Sequence, residues 1–133
     1  MSASSNSAAA EILQLNQQLL DAIAGGDWDT YVQLCDPAIT AFEPEARGHL
    51  IEGLDFHEFY FKLGGIEGQH NTTMSSPNVW MLGEEAGVVC CVRLVQRLDE
   101  SGKPVTRQSE ETRVWQRRDG KWKHVHFHRS ITS

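Results

Sequence analysis

From Thr72 onward the chain offers four strand-length segments in succession: Thr72–Leu82, Ala86–Leu98, Val105–Arg117 and Trp122–Ser130. Glu84-Glu85, Asp99-Glu100-Ser101-Gly102 and Arg118-Asp119-Gly120 are the only connections between them, and such short turns join antiparallel neighbours. The segment "GVVCCVRLVQRL" is rich in β-branched residues and apolar on both faces, so one face should pack on the helices and the other needs cover, which neighbouring subunits can supply. Pro77 cannot donate to a ladder, which makes the first segment an edge strand or puts a bulge in it. A meander of long strands is therefore fixed, and one of its faces requires the cover of helices.

The first half supplies that cover. From Ala9, Ile12, Leu15, Leu19, Ala22 and Ile23 recur at helical spacing. Gly25-Gly26 ends this helix, and Asp27 caps a second, short one carrying Trp28, Tyr31, Val32 and Cys35, stopped by Asp36-Pro37. "ITAF" and "HLIEG" read as short strands around Glu43-Pro44-Glu45. Asp55 caps a third helix, "FHEFYFKL", closed by Gly64-Gly65. Helices followed by long strands make an α+β layout, a strongly bent antiparallel sheet wrapped around a long N-terminal helix.

The 133 residues suit one domain, read as a disordered leader over 1–8 and a folded unit over 9–133. Twelve basic against eighteen acidic residues give a net charge of −6, which disfavours nucleic acid and anionic membranes as partners. No apolar run is long enough to span a bilayer, and the N-terminus has neither a signal-peptide pattern nor transit-peptide arginines. Cys35, Cys90 and Cys91 form no disulfide framework and no CxxC, so three reduced thiols in a cytoplasmic protein are expected.

The run "HVHFHR", His124 to Arg129, tests for a metal centre. On a regular strand His124, His126 and His128 share one face, with Val125, Phe127 and Arg129 on the other. Same-face neighbours lie roughly 7 Å apart, too far to converge on one ion at bonds of about 2 Å. No metal and no cofactor is expected. Arg93, Arg113 and Arg129 are the stronger signal, since each stands among apolar neighbours on successive strands and none can shed its charge. Two readings stay open at this point: an anion-binding cavity, or neutralisation by Glu43, Glu45 and Glu111. His57, Tyr60 and Tyr31 are the other polar groups that the helices could bring near.

"CDPAITAFEPEA", "EGLDFHEFYF" and "QSEETRVWQRRDGKWKHVHFHRS" strongly resemble the association (hub) domain of calcium/calmodulin-dependent protein kinase II, from about Glu11 to Ser130. That resemblance implies the cone-shaped fold of the nuclear transport factor 2-like (cystatin-like) superfamily. It implies self-association of dimers into a ring scaffold, usually of six or seven dimers, hence twelve or fourteen subunits, with a kinase bearing a matching hub as a possible further partner. It also implies that Arg93, Arg113 and Arg129 line a deep pocket for a small carboxylate, with His57 beside them and Tyr31 and Tyr60 contributing. No kinase catalytic domain and no calmodulin-binding helix precedes residue 11. The loop "KLGGIEGQH" is shorter than in the kinases and lacks their tryptophan, Cys91 replaces a usual tyrosine, and Arg47 replaces an apolar residue.

No nucleophile–base pair, phosphate loop or HExxH is present, so no catalytic residue is assigned and the chain is not read as an enzyme. The alternative is a stand-alone ketosteroid isomerase-like enzyme using the same pocket with His57 as base. A peptide receptor using the open cone has no groove signature to support it.

Overall fold

The computed structural model describes residues 3–131. Helix α1 (Ala3–Gly25) begins earlier than the periodicity from Ala9 indicates, and α2 (Trp28–Leu34) follows after one turn. Strand β1 (Cys35–Phe42), a 3-10 turn (Pro44–Ala46), the two-residue β2 (Ile51–Glu52) and α3 (Asp55–Lys62) complete the first half. Strands β3 (His70–Met81), β4 (Ala86–Leu98), β5 (Pro104–Arg118) and β6 (Lys121–Ile131) form the meander.

The six strands make one strongly curved, unclosed sheet in the order β2-β1-β6-β5-β4-β3. One pairing departs from the antiparallel expectation: β1 runs parallel to β6. A long excursion separates the two in sequence, and only that length allows a strand to return alongside in the same direction. Pro77 turns out to mark both an edge and a bulge. β3 is the terminal strand of the sheet, and its register slips between Ser75 and Asn78, with Ser76 at φ 50°. Pro37 lies inside β1 rather than behind a helix, in the stretch where the β1–β6 register breaks and no ladder bond is required.

Odd-numbered residues of β4 and β5 lie on the inner face of the sheet. Ile12 and Leu19 of the helix are buried in one cluster with Val89, Trp115 and Phe127, the core of the molecule. Polar atoms in this layer find partners: Trp115 donates to Asn16 at 3.0 Å and Trp122 to Glu11 at 3.1 Å. Gly65 does more than close α3. A Cβ there would lie 2.3 Å from the Gly25 carbonyl carbon, so the two glycine pairs let the loop lie flat against the end of α1, where Ile66 donates to Ala24 O at 2.8 Å.

The last strand corrects the expectation for its histidines. Val114 faces His126 while Trp115 faces His124, so Val125 is an extra residue and β6 bulges there. His124 therefore points inward with Trp122, Phe127 and Arg129, whereas His126 and His128 lie on the outer face. One inserted residue reverses the face of everything that follows it. No helix of the described residues is long and apolar enough to cross a membrane, which says nothing of a β-barrel.

Candidate functional site

The inner face narrows into a cavity of about 210 Å³ between the sheet, α2 and α3. Tyr31 from α2, His57 and Tyr60 from α3, Arg93 from β4, Arg113 from β5 and Arg129 from β6 all line it. Glu43 and Glu45, from the segment after β1, line it too, with Ile23, Phe61 and Phe127 as apolar wall. Glu111, two residues before Arg113, shares its inner face, and its role is larger than that of one neutralising partner.

Registry explains why. Glu111 sits opposite Cys91 on one side and Arg129 on the other, with Arg113 two residues on and Arg93 one diagonal step away. Its carboxylate accepts from Arg113 Nε at 2.8 Å and Ser109 Oγ at 3.0 Å, and lies 3.4 Å from Arg93 Nε. Burial works to raise this carboxyl, but Arg113 and Arg93 beside it and the two hydrogen bonds bring it below the ordinary value. Arg129 is held by Glu45 through both carboxylate oxygens. Each arginine thus has a carboxylate partner, so an argument from three mutually repelling bare cations does not apply here. The neutralising carboxylates and the cavity coexist.

The three arginines are not equivalent. Arg113 is buried, hydrogen-bonded to Glu111, stacked 4.4 Å from the Phe127 ring centre, and 3.4 Å from His124 Nε2 through Nη1. Because a guanidinium only donates, His124 Nε2 is the acceptor and its proton sits on Nδ1, which faces Cys35 Sγ at 3.5 Å. Burial and then Arg113 hold His124 well below its usual range, which keeps it neutral. Arg93, by contrast, makes no hydrogen bond among the described residues, and its Nε is buried without one. Among the described residues Arg129 is tied to Glu45 alone, a carboxylate that is 35 % exposed.

His57 stands at the wall with Nε2 buried and unpartnered. Burial first, and then Arg113, push it down to about 4. Its Nδ1 is 3.9 Å from Glu43, beyond hydrogen-bond reach, and the neutral ring forms no ion pair there. Burial, with Glu45 adding to it, raises Glu43 above the ordinary carboxyl value despite the arginines. Tyr31 is buried under this wall, 4.7 Å from the Phe61 ring centre, while Tyr60 is partly exposed at the mouth. Among the described residues no group of three or more His, Cys, Asp or Glu could hold a metal ion.

A family model described as "Calcium/calmodulin dependent protein kinase II association domain" matches residues 8–133. The calcium/calmodulin-dependent protein kinase type II alpha chain of Drosophila melanogaster is 54% identical over 125 residues, covering 92% of this chain and 24% of that protein. The chain spans about a quarter of the length of the curated relatives it matches. Among solved structures, the association domain of C. elegans CaMKII superposes with a TM-score of 0.87 at 51% identity, covering 92% of this chain and 94% of that one. The CaMKII hub homology domain of Chlamydomonas reinhardtii gives 0.88 at 51% identity, covering 95% and 99%. A Salmonella enterica protein of the nuclear transport factor 2-like superfamily shares the fold alone, with a TM-score of 0.78 at 19% identity over 97% of this chain and 94% of that one.

Proposed function

The chain belongs to the calcium/calmodulin-dependent protein kinase II association-domain family, and from that premise we propose that it is a homo-oligomeric assembly domain whose cavity binds a small carboxylate. The matched residues are the association domain and not a kinase catalytic domain.

The outer face of the sheet carries the assembly reading. Trp80, Val88, Val114, His126 and Thr40 form one continuous row across five strands. Asn78, Cys90, Thr112, His128 and Phe42 form the next, and Val92 and Leu94 extend the apolar strip. Trp80 is 62 % exposed in the isolated chain, a poor arrangement for a protein that stays single. A second copy covers such a face by symmetry, and dimers that close into a ring of twelve or fourteen subunits satisfy the remaining contacts. In this reading the assembly is cytoplasmic, and a kinase with a matching association domain is its candidate partner. Native mass spectrometry at micromolar concentration tests it: species of twelve or fourteen times 14.9 kDa are expected, and a single monomer peak sinks it.

The carboxylate reading rests on the unequal arginines. An incoming carboxylate takes Arg129 from the part-exposed Glu45, engages the guanidinium of Arg93, whose Nε lacks a hydrogen bond, and meets the unpartnered Nε2 of His57. Buried Arg113 fixes the floor, and Tyr31 and Tyr60 close the wall. An isomerase-like activity is not favoured, because a base held at about 4 is mismatched to proton abstraction near neutral pH. Acetate or malonate is expected to raise the melting temperature above that in chloride at equal ionic strength. At a hundred times the dissociation constant the gain is about 2.7 kcal/mol. Arg129→Met is the informative variant, since Arg113→Met strands Glu111 in the core. Matched salts that behave alike overturn the carboxylate reading.

A further inference from the structure

Beyond the cavity mouth the inner face continues as an open groove of about 610 Å³, bordered by Arg93, Arg107 and Arg129 and floored by Val95, Ser109 and Ile131. Arg93 and Arg129 belong to both spaces, so the groove is an outward extension of the cavity rather than a separate pit. We propose that this groove is a second anionic subsite, and that the ligand it selects is an extended dianion: a linear dicarboxylate with one end in the cavity and the other on Arg107.

The placement follows from register. Arg107 is directly opposite Val95, and Arg93 is opposite Ser109, so the two arginines are diagonal neighbours on one face, about 7–8 Å apart along the backbone and somewhat less between Cβ atoms. The charges around them are accounted for. Glu111 lies beneath Arg93, Glu45 holds Arg129, and the neighbouring Glu110 is on the opposite face of the sheet. Arg107 alone of the three has no ion pair or hydrogen bond among the described residues, and Arg93 Nε is buried without a hydrogen bond. The groove therefore presents one unneutralised cation at its outer end and one under-bonded cation at its inner end, with apolar Val95 between them. A hydrocarbon spacer fits that middle, and carboxylates fit both ends. A monocarboxylate fills the cavity and leaves Arg107 to water.

This inference rests on the cavity's affinity for a carboxylate, and the test separates the two. Binding of adipate or pimelate to the assembled chain is compared with that of hexanoate by calorimetry at equal ionic strength. The dicarboxylates are expected to bind about fivefold more tightly, the upper range for one exposed charge pair. Arg107→Gln removes that advantage and leaves hexanoate binding unchanged. Lys121→Gln, which removes the same charge elsewhere, leaves the advantage intact. Equal affinity for the two acids, or an advantage that survives Arg107→Gln, overturns the second subsite while the cavity reading stands. Dicarboxylate binding that depends on Arg107 while hexanoate fails to bind supports the two-ended site and overturns the cavity as a site sufficient for a monocarboxylate. No binding of either acid overturns both.

Discussion

The two faces of the sheet are built from the same strands, yet they hold opposite kinds of residue. On the inner face a row of charged side chains is buried and cross-braced: Glu111 gathers Arg113, Arg93 and Ser109, and Arg113 in turn reaches His124. On the outer face, Trp80, Val88 and Val114 form an apolar strip with few internal partners. Burying charge requires that every member be matched, which makes the inner face intolerant of single changes. An exposed apolar strip makes no such demand within one chain and gains its partners only from another. The molecule separates a preorganised interior from an adhesive exterior by the two-residue alternation of its strands.

The largest expected departure comes from breaking the inner network at its centre. Glu111→Gln leaves two guanidinium groups without their carboxylate, at a cost of about 3–5 kcal/mol. Denaturant unfolding measures it. The triple variant Glu111→Leu with Arg113→Met and Arg93→Met is expected to recover much of the loss, because the carboxylate and both of its cations leave together. A Glu111→Gln protein as stable as the parent shows that the network contributes nothing.

Acid weakens the same face by a calculable amount. The folded-state value of His57 lies below its unfolded value, so its contribution is fully present above 6.5 and is lost as the pH falls through about 4. Moving from 6.5 to about 4, at about 1.36 kcal/mol per pH unit, gives roughly 3 kcal/mol. Buried His124 acts in the same direction. His57→Gln is expected to flatten the stability profile between those pH values, and an unchanged slope contradicts the assignment.

The outer face responds differently. Trp80→Glu is expected to reduce the assembled mass while changing the stability of the folded chain by less than about 0.5 kcal/mol, as for an exposed site. Sedimentation and denaturant unfolding on the same sample separate the two effects. Thr40→Val, which removes the 2.7 Å hydrogen bond to His126, is expected to cost about 1 kcal/mol at most. A fall in assembled mass without loss of that fold stability shows that the bond matters between chains rather than within one.

Much of this was legible without coordinates. Turn residues and β-branched runs established the four long strands, helical spacing established α1, and apolar surroundings singled out Arg93, Arg113 and Arg129. These are local properties, carried by residues a few positions apart, and short-range sterics and alternation decide them. The partners of those arginines were narrowed to Glu43, Glu45 and Glu111 but not distributed among them. That distribution needed the register of β4 against β5, which sets Arg93 one diagonal step from Glu111, and the position of Glu45 some 84 residues away from its arginine.

Residue type alone determined that three unsheddable charges had to be placed inside a bent sheet, and that strict alternation would set their neighbours. Only the tertiary structure decided which face His124 takes. The extra residue at Val125 is invisible in the run "HVHFHR", since a bulge is defined by what lies opposite it on the next strand. The same holds for the parallel pairing of β1 with β6 and for the contact of Gly65 with Gly25. Each is a relation between distant segments, and a one-dimensional pattern records the residues that permit such a relation but not the partner that completes it.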